Sequence, residues 1–557
     1  MDSRRETIRN AYGPTCRWFL NHPDYLAWLD PKQLPDHNGF LWVSGKPGAG
    51  KSTIMKFTFA HMAEENRSKI TPQHRPDSCF ASFFFNARGE SLERTITGMY
   101  RSLLIQLLEW YKDLQAILDD YKLDAEKCDN WFTLDTLKTM FQKAVLSLGK
   151  REFTCFIDAL DECDEQQAID MIQYFEDLTE ESTEKDILFR VCFSSRHYPY
   201  IDIQGSIRLK LEDQPGHNDD LQMYVRRRLK ARDASMLEEL YPLILEKAAG
   251  VFLWVALVIR ILNKEDRYGR PALKKRVTDL PSDLSELFKD MITRDYENTE
   301  ELQLSVLWVL YAERSLRPDE YYHALWAGLY SKGLMDSEIP TTSTMSVDSM
   351  ARIERYVISS SKGLAEITKS DHPIVQFIHE SVRDFLIKDG GLRQLWPGLD
   401  VELESPGHER LKICCDTYIT HPKVRETVSK LPWNTAGLKK LTFLRYASQH
   451  IMYHANIAAK AIAQDDFLTR FCKESWPDFP NVFDERKYAQ NTSILYFLAE
   501  KGYPTLIQTA LISEPEINTP GEEHGYPLFA ALANRHIEAA AALLGSNTSI
   551  FYTVDFA

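Results

Sequence analysis

The run Gly45-Lys46-Pro47-Gly48-Ala49-Gly50-Lys51-Ser52 fits the spacing G-x-x-x-x-G-K-[ST], with an apolar run before it and a helical stretch after it. Glycines there let the backbone curl until its N–H groups converge on a phosphate, and the start of the next helix adds positive potential. Lys51 would then reach the β- and γ-phosphates of a nucleotide, and the Ser52 hydroxyl would be a magnesium ligand. An ordinary glycine-rich turn is the competing reading, and the strand and helix context weighs against it.

Further on, Phe153-Thr154-Cys155-Phe156-Ile157-Asp158-Ala159-Leu160-Asp161-Glu162 is an apolar strand that ends in acids. Beside a phosphate loop, Asp158 would hold magnesium directly or through water, and Asp161 or Glu162 could orient and deprotonate an attacking water. The alternative is that these acids cap the following helix. Ser194-Ser195-Arg196 closes another strand and brings an arginine to the same carboxyl edge, where ligands of such sheets bind. Arg196 could contact the γ-phosphate; it could equally be a surface arginine paired with an acid.

Elements to position these groups are legible between residues 37 and 205, where short apolar runs alternate with helical stretches. The fold class expected is an α/β nucleotide-binding domain, a parallel sheet between helices, followed by helical domains. Its strands are predicted at Phe40 to Ser44, Cys79 to Phe85, Thr154 to Asp158 and Phe189 to Ser194. Helices are predicted at Leu92 to Leu108 and Thr133 to Leu148, and acidic Glu176 to Asp186 reads as a solvated connection. Residues 1–36 form a helical lead-in. From about residue 206 the strands are expected to stop, and a helical lid fills 206–295 with helices at Asn218 to Lys230, Ser235 to Ala248 and Phe252 to Asn263. In 296–390, helices at Leu302 to Ala312, Pro318 to Tyr330 and Ala351 to Ser360, strands at Leu364 to Thr368 and Ile374 to Phe377, and a helix from about His379 suggest a winged-helix domain. Polar Asp336 to Ser349 reads there as a mobile loop. A helical linker region spans 391–490. In 491–557, Leu495-Tyr496 and Leu528-Phe529 recur at an offset of 33 residues, as do Ala510-Leu511 and Leu543-Leu544, which is the ankyrin period.

Composition narrows the class of function. The 557 residues carry a formal net charge of -15, which leaves no cationic excess for a broad nucleic-acid surface. The apolar run Val251 to Leu262 is too short to span a bilayer, and the charged opening Met1 to Glu6 does not read as a secretory signal or an anchor. Nine cysteines without a repeated C-x-x-C pattern suggest reduced thiols, and a cytoplasmic location is expected.

Taken together, these residues resemble the NACHT-type STAND P-loop NTPases, in particular the nephrocystin-like amino-terminal class of fungal NLR-like proteins. The resemblance runs over roughly residues 8 to 390. Thr15-Cys16-Arg17-Trp18-Phe19 and Tyr25-Leu26-Ala27-Trp28-Leu29 resemble the lead-in, and Gly39 to Thr53 resembles the family's Walker A segment. Asp158-Ala159-Leu160-Asp161-Glu162 is similar to its Walker B, and Arg196 matches its sensor arginine. Gly250-Val251-Phe252-Leu253-Trp254-Val255 resembles the lid motif. Phe377-Ile378-His379-Glu380-Ser381 resembles the end of the winged helix, where a histidine touches the β-phosphate of ADP; a core or helix-capping histidine is the alternative for His379.

The resemblance implies an ATP/ADP-dependent molecular switch, NLR-like in innate recognition or programmed cell death. ATP or ADP with Mg2+ would be the cofactors, Gly45 to Thr53 with Arg196 and His379 the nucleotide contacts, and Ser52 and Asp158 the metal ligands. Slow hydrolysis through Asp161 and Glu162 would reset the switch. Protein partners would bind the C-terminal helical and ankyrin-like region, and a nucleotide-dependent homo-oligomer is implied, with no nucleic acid and no membrane span. The competing reading is a non-catalytic ankyrin-type scaffold whose NTPase fold is architectural.

Overall fold

A computed structural model describes residues 3–545 except 71–75, 88, 90, 121–132, 198–204, 231–233, 266–269, 294–298, 341–346, 369, 397–402, 431–439, 475, 477, 479, 484–487 and 514–520. The chain divides into two compact units, Met1–Leu287 and Phe288–Ala557.

The first unit is built on five parallel strands: β1 (Phe40–Ser44), β2 (Ser78–Phe84), β3 (Glu152–Asp158), β4 (Leu188–Ser195) and β5 (Ile207–Lys210), in the order β2-β3-β4-β1-β5. The inner strands are apolar on both faces because helices cover both. Phe40 and Trp42 point to one side, into a core with Tyr100, Phe141, Phe153, Phe175 and Phe189. Leu41 and Val43 point to the other, where they meet Ile54, Met55 and Phe59 of the helix Lys51–Ser68 and Trp28 of the lead-in. Trp28 is fully buried and donates its indole N–H to Gly39 O at 2.7 Å, so the lead-in is pinned beside the strand that precedes the phosphate loop.

Two expectations need correction. The strands do not stop at 206, because β5 pairs in parallel with β1 from Leu41↔Ile207 to Ser44↔Lys210. Only Leu209 of its four residues is buried, so the edge strand lacks the long apolar run that marks the others. Glu176 to Asp186 is mostly not a connection either, since Glu165–Glu184 is one helix. Leu178, Thr179 and Ser182 are buried in it, and the acids between them form its solvent-facing stripe. The lid region holds helices at Pro215–Arg228, Ala234–Ala248 and Phe252–Glu265. Among the described residues no helix is long and apolar enough to cross a membrane.

In the second unit, helices Thr299–Tyr311, Pro318–Tyr330 and Val347–Ser360 precede an antiparallel hairpin, β6 (Ala365–Ile367) with β7 (Val375–Phe377), and then the helix Glu380–Ile387. The third of these helices begins at Val347, inside the stretch expected to be a loop, and residues 341–346 of that stretch lie outside the described residues. Helices Glu404–Thr420 and Leu444–Ala458 pack together around Trp308, Tyr418, Phe443 and Tyr446. Beyond them, Ile494–Lys501 and Pro504–Ser513 form one helix pair and Pro527–Ala533 and Ile537–Leu544 another, with starts offset by 33 residues and like helices packed together. Residues 546–557 of the expected repeats lie outside the described residues. The eight described cysteines are free thiols.

Candidate nucleotide site

The site lies at the carboxyl ends of β1, β3 and β4. Gly45 to Gly50 follow β1, and Lys51, Ser52 and Thr53 occupy the first turn of the helix Lys51–Ser68. Gly50 is its N-cap at φ 108°, with no side chain to satisfy the first amides, as an anion cradle requires. Gly48, at φ 74°, is a tight point, because a Cβ there would lie 2.8 Å from Leu253 Cβ. Lys51 folds back on the loop, donating from Nζ to Gly45 O at 2.8 Å and Lys46 O at 3.1 Å. Burial pushes its pKa down, against Asp161 and Asp158, whose charges hold it up. Those two carbonyls keep the ammonium in place until a better acceptor arrives.

β4 lies between β1 and β3, so its serine tip bridges the loop strand and the acid strand. Asp158 is fully buried. Ser194 Oγ donates to Asp158 Oδ1 at 2.5 Å and accepts the Ala159 N–H at 3.2 Å, while the nearby Ser52 hydroxyl also favours the ionised Asp158 carboxylate. Burial pushes the Asp158 carboxyl up, partly offset by these hydroxyls and by the charge of Arg4. Its Oδ2 has no hydrogen-bond partner. An orphaned carboxylate oxygen beside a serine hydroxyl fits a magnesium ion held by one carboxylate, a hydroxyl and phosphate oxygens. Among the described residues there is no group of three or more His, Cys, Asp or Glu that could form an all-protein cage.

The other acids are engaged. Asp161 takes Arg196 Nε on Oδ2 at 2.8 Å and the Arg196 N–H on Oδ1 at 3.0 Å. Glu162 takes Arg4 Nη2 on Oε1 at 3.4 Å and the Ala87 N–H on Oε2 at 3.0 Å. Arg196 thus stands at the predicted edge, in a pair with the neighbouring acid. His379 belongs to the second unit, where it is the N-cap of the helix Glu380–Ile387; its Nδ1 accepts the Ser381 N–H at 3.1 Å and bonds Ser381 Oγ at 2.7 Å. That is the helix-capping geometry.

Sequence reasoning missed the groups that tie the loop to the lid. Glu212, with its side chain 5% exposed, accepts the Lys46 N–H on Oε2 at 3.2 Å and bonds His197 Nε2 through Oε1 at 2.6 Å. The lid turn completes the link: Lys46 Nζ donates to Ala249 O at 3.0 Å, Leu253 N to Gly48 O at 2.9 Å, and His217 Nε2 bonds Gly250 O at 2.8 Å. No spacing rule singles out Glu212, which lies in the acidic pair Glu212-Asp213 after β5. Arg4, far from any motif in the chain, was missed as well.

Residues 14–196 match the family described as Nephrocystin 3, N-terminal. Vegetative incompatibility protein HET-E-1 of Podospora anserina is 26% identical over 390 residues, covering 66% of this chain and 26% of that protein. The chain therefore spans about a quarter of the length of this relative. Among solved structures, the STAND protein with a tetratricopeptide repeat sensor from Pyrococcus horikoshii is 12% identical at a TM-score of 0.35, over 91% of this chain and 66% of that one. Cdc6p of Pyrobaculum aerophilum is 11% identical at 0.30, over 70% of this chain and 97% of that one. Both likenesses are too distant to bear on the site. Over residues 14–196 this chain is therefore similar to the nephrocystin 3 N-terminal family, and over 390 residues to a fungal incompatibility protein, in line with the NACHT-type resemblance of its motifs.

Proposed function

We propose that this chain binds ATP and ADP with Mg2+ and works as a nucleotide-dependent switch in NLR-like signalling. The observation that carries the reading is the bond from Leu253 N to Gly48 O, which makes the phosphate loop and the lid turn one connected structure. Filling the loop would move Lys51 from its two carbonyls to phosphate oxygens and so alter the backbone on which the lid rests. Gly45 to Thr53 would cradle the phosphates, with Arg196 beside the terminal one. Ser52 and Asp158 would hold magnesium, which would neutralise charge on the phosphates. Asp161 and Glu162 would act on water only after leaving their arginines, so hydrolysis would be slow and serve to reset the switch. Partners would be proteins, taken up by the C-terminal helical region, and the active form would be an oligomer of this chain.

Lys51→Ala tests the reading. Removing the ammonium should weaken fluorescent ADP and ATP analogues by at least about a hundredfold in equilibrium titration, the scale of a desolvated charge contact to phosphate. Unchanged affinity would sink nucleotide binding at this loop. Purified wild type that carries no nucleotide and releases no phosphate would favour the scaffold alternative, a second reading motivated by the paired state of Asp161 and Glu162.

A further inference from the structure

The short helix Ser3–Thr7 lies against the acid side of the site. Arg4 Nη2 stands 3.4 Å from Glu162 Oε1, with the two side chains 17% and 9% exposed. That is long for a charge-assisted hydrogen bond, whose usual range is about 2.7–2.9 Å. Arg4 Nε is buried without a hydrogen-bond partner, as is Asp158 Oδ2, and the charge of Arg4 acts on Asp158 as well. A guanidinium and a carboxylate, each incompletely satisfied, thus face the same buried region. The contacts that hold the segment carrying Arg4 include Arg5 Nη1 donating to Ser82 Oγ at 3.1 Å, the Arg5 guanidinium 4.9 Å from the Phe59 ring centroid, Lys56 Nζ donating to Ile8 O at 2.6 Å, and the Ile8 side chain packed against the core.

Building on the nucleotide reading above, we propose that Arg4 is a displaceable counter-ion: it neutralises Glu162 and Asp158 while the site lacks magnesium nucleotide, and it leaves with residues 3–8 when magnesium nucleotide binds. The physics is like-charge exclusion. Two buried or part-buried acids need a cation nearby, and Arg4 supplies one from a tethered segment. A divalent ion at Asp158 does the same work from within the site, and in a poorly screened environment it repels the guanidinium. Departure of Arg4 also removes a donor from Glu162, so one event would expose the amino-terminal segment and loosen the hold on an acid suited to proton transfer.

Tryptic cleavage after Arg9 in the full-length protein, followed by intact mass, reads the segment directly, while a fluorescent ADP analogue in the same samples reports binding. In the wild type, Mg2+ with ADP should speed this cleavage by at least about fivefold, since cleavage follows the population of the open form. ADP with chelator should change it little. Arg4→Ala should be cleaved fast without nucleotide and should bind the magnesium nucleotide about fivefold more tightly, the scale of one part-exposed ion pair; Arg4→Lys should resemble the wild type. Arg5→Ala, which loosens the anchor and keeps the charge, should raise cleavage without altering the magnesium dependence. Bound nucleotide with unchanged cleavage, or Arg4→Ala with unaltered magnesium dependence, overturns the inference and leaves the nucleotide site standing. A wild type that binds no nucleotide overturns both.

Discussion

Asp158 holds its carboxylate where water does not reach, with one oxygen bonded by the Ser194 hydroxyl and the other unmatched. Burial raises its pKa above the usual value of 3.8, so the ionised folded form carries a cost at neutral pH that is relieved only as pH falls through the raised folded value. A carboxylate that costs stability in this way fits the magnesium role proposed for it. Asp158→Asn keeps the acceptor for Ser194 and removes the charge. The variant should melt no lower than the wild type in a nucleotide-free thermal scan at pH 7, while the magnesium-dependent gain in nucleotide affinity, about tenfold or more for a lost metal carboxylate, should vanish. A lower Tm with the magnesium gain intact would make the carboxylate structural. At this scale Lys51, Ser52, Asp158 and Asp161 were legible because their spacing encodes a shared task. The partners that tune them, Arg4 and Ser194, were not, because nothing in the chain marks contacts across 158 and 36 residues.

Two hydrogen bonds join the phosphate loop to the lid turn directly, Lys46 Nζ to Ala249 O and Leu253 N to Gly48 O, and the Glu212 carboxylate braces the loop beside them by accepting the Lys46 N–H. Its Oε2 would lie 2.8 Å from a Cβ at Gly45, so the first glycine of the motif makes room for a side chain as well as for a turn. Glu212→Ala removes the acceptor of the Lys46 N–H and the partner of His197 together. The expected result is exchange of the backbone amides across residues 249–255 about tenfold faster by mass spectrometry, with nucleotide affinity weakened about threefold, since one buried acceptor is worth about 1 kcal/mol. Unchanged exchange would mean that the Leu253–Gly48 bond holds the lid turn unaided. Elements with a clear period were readable in advance: β1 because both of its faces are apolar, and Pro318–Tyr330 because proline starts it. β5 was missed because it buries only one of its four side chains, and the tail of Glu165–Glu184 because its buried face, Leu178, Thr179 and Ser182, has a single apolar residue among the acids.

Across the chain as a whole, burial lowers histidine pKa values in both units, at His37 and His217 in the first and at a larger set in the second. The second unit buries a set of histidines that burial holds neutral: His323, His408 and His450 are each pushed down from 6.5 to about 4, and His454 falls well below its ordinary value. Their surroundings explain why. His408 Nδ1 lies 2.9 Å from His454 Nδ1, so one nitrogen donates and the other accepts, and protonating both would set N–H against N–H. Tyr446 OH bonds the other nitrogen of His454 at 3.0 Å, His323 Nδ1 bonds Tyr418 OH at 2.9 Å, and Arg314 beside His450 disfavours a further positive charge. The folded pKa values lie below the unfolded one, so the contribution of these neutral rings is complete above pH 6.5 and is lost progressively as pH falls toward 4. Peptide-resolved hydrogen exchange should therefore show Glu404–Thr420 and Leu444–Ala458 opening across that window, with a fall in their melting temperature on the order of 10 °C. His408→Gln with His454→Asn should flatten the dependence, because neither amide titrates. A slope that survives the double variant would place the acid sensitivity in His323 and His450 or outside the histidines altogether.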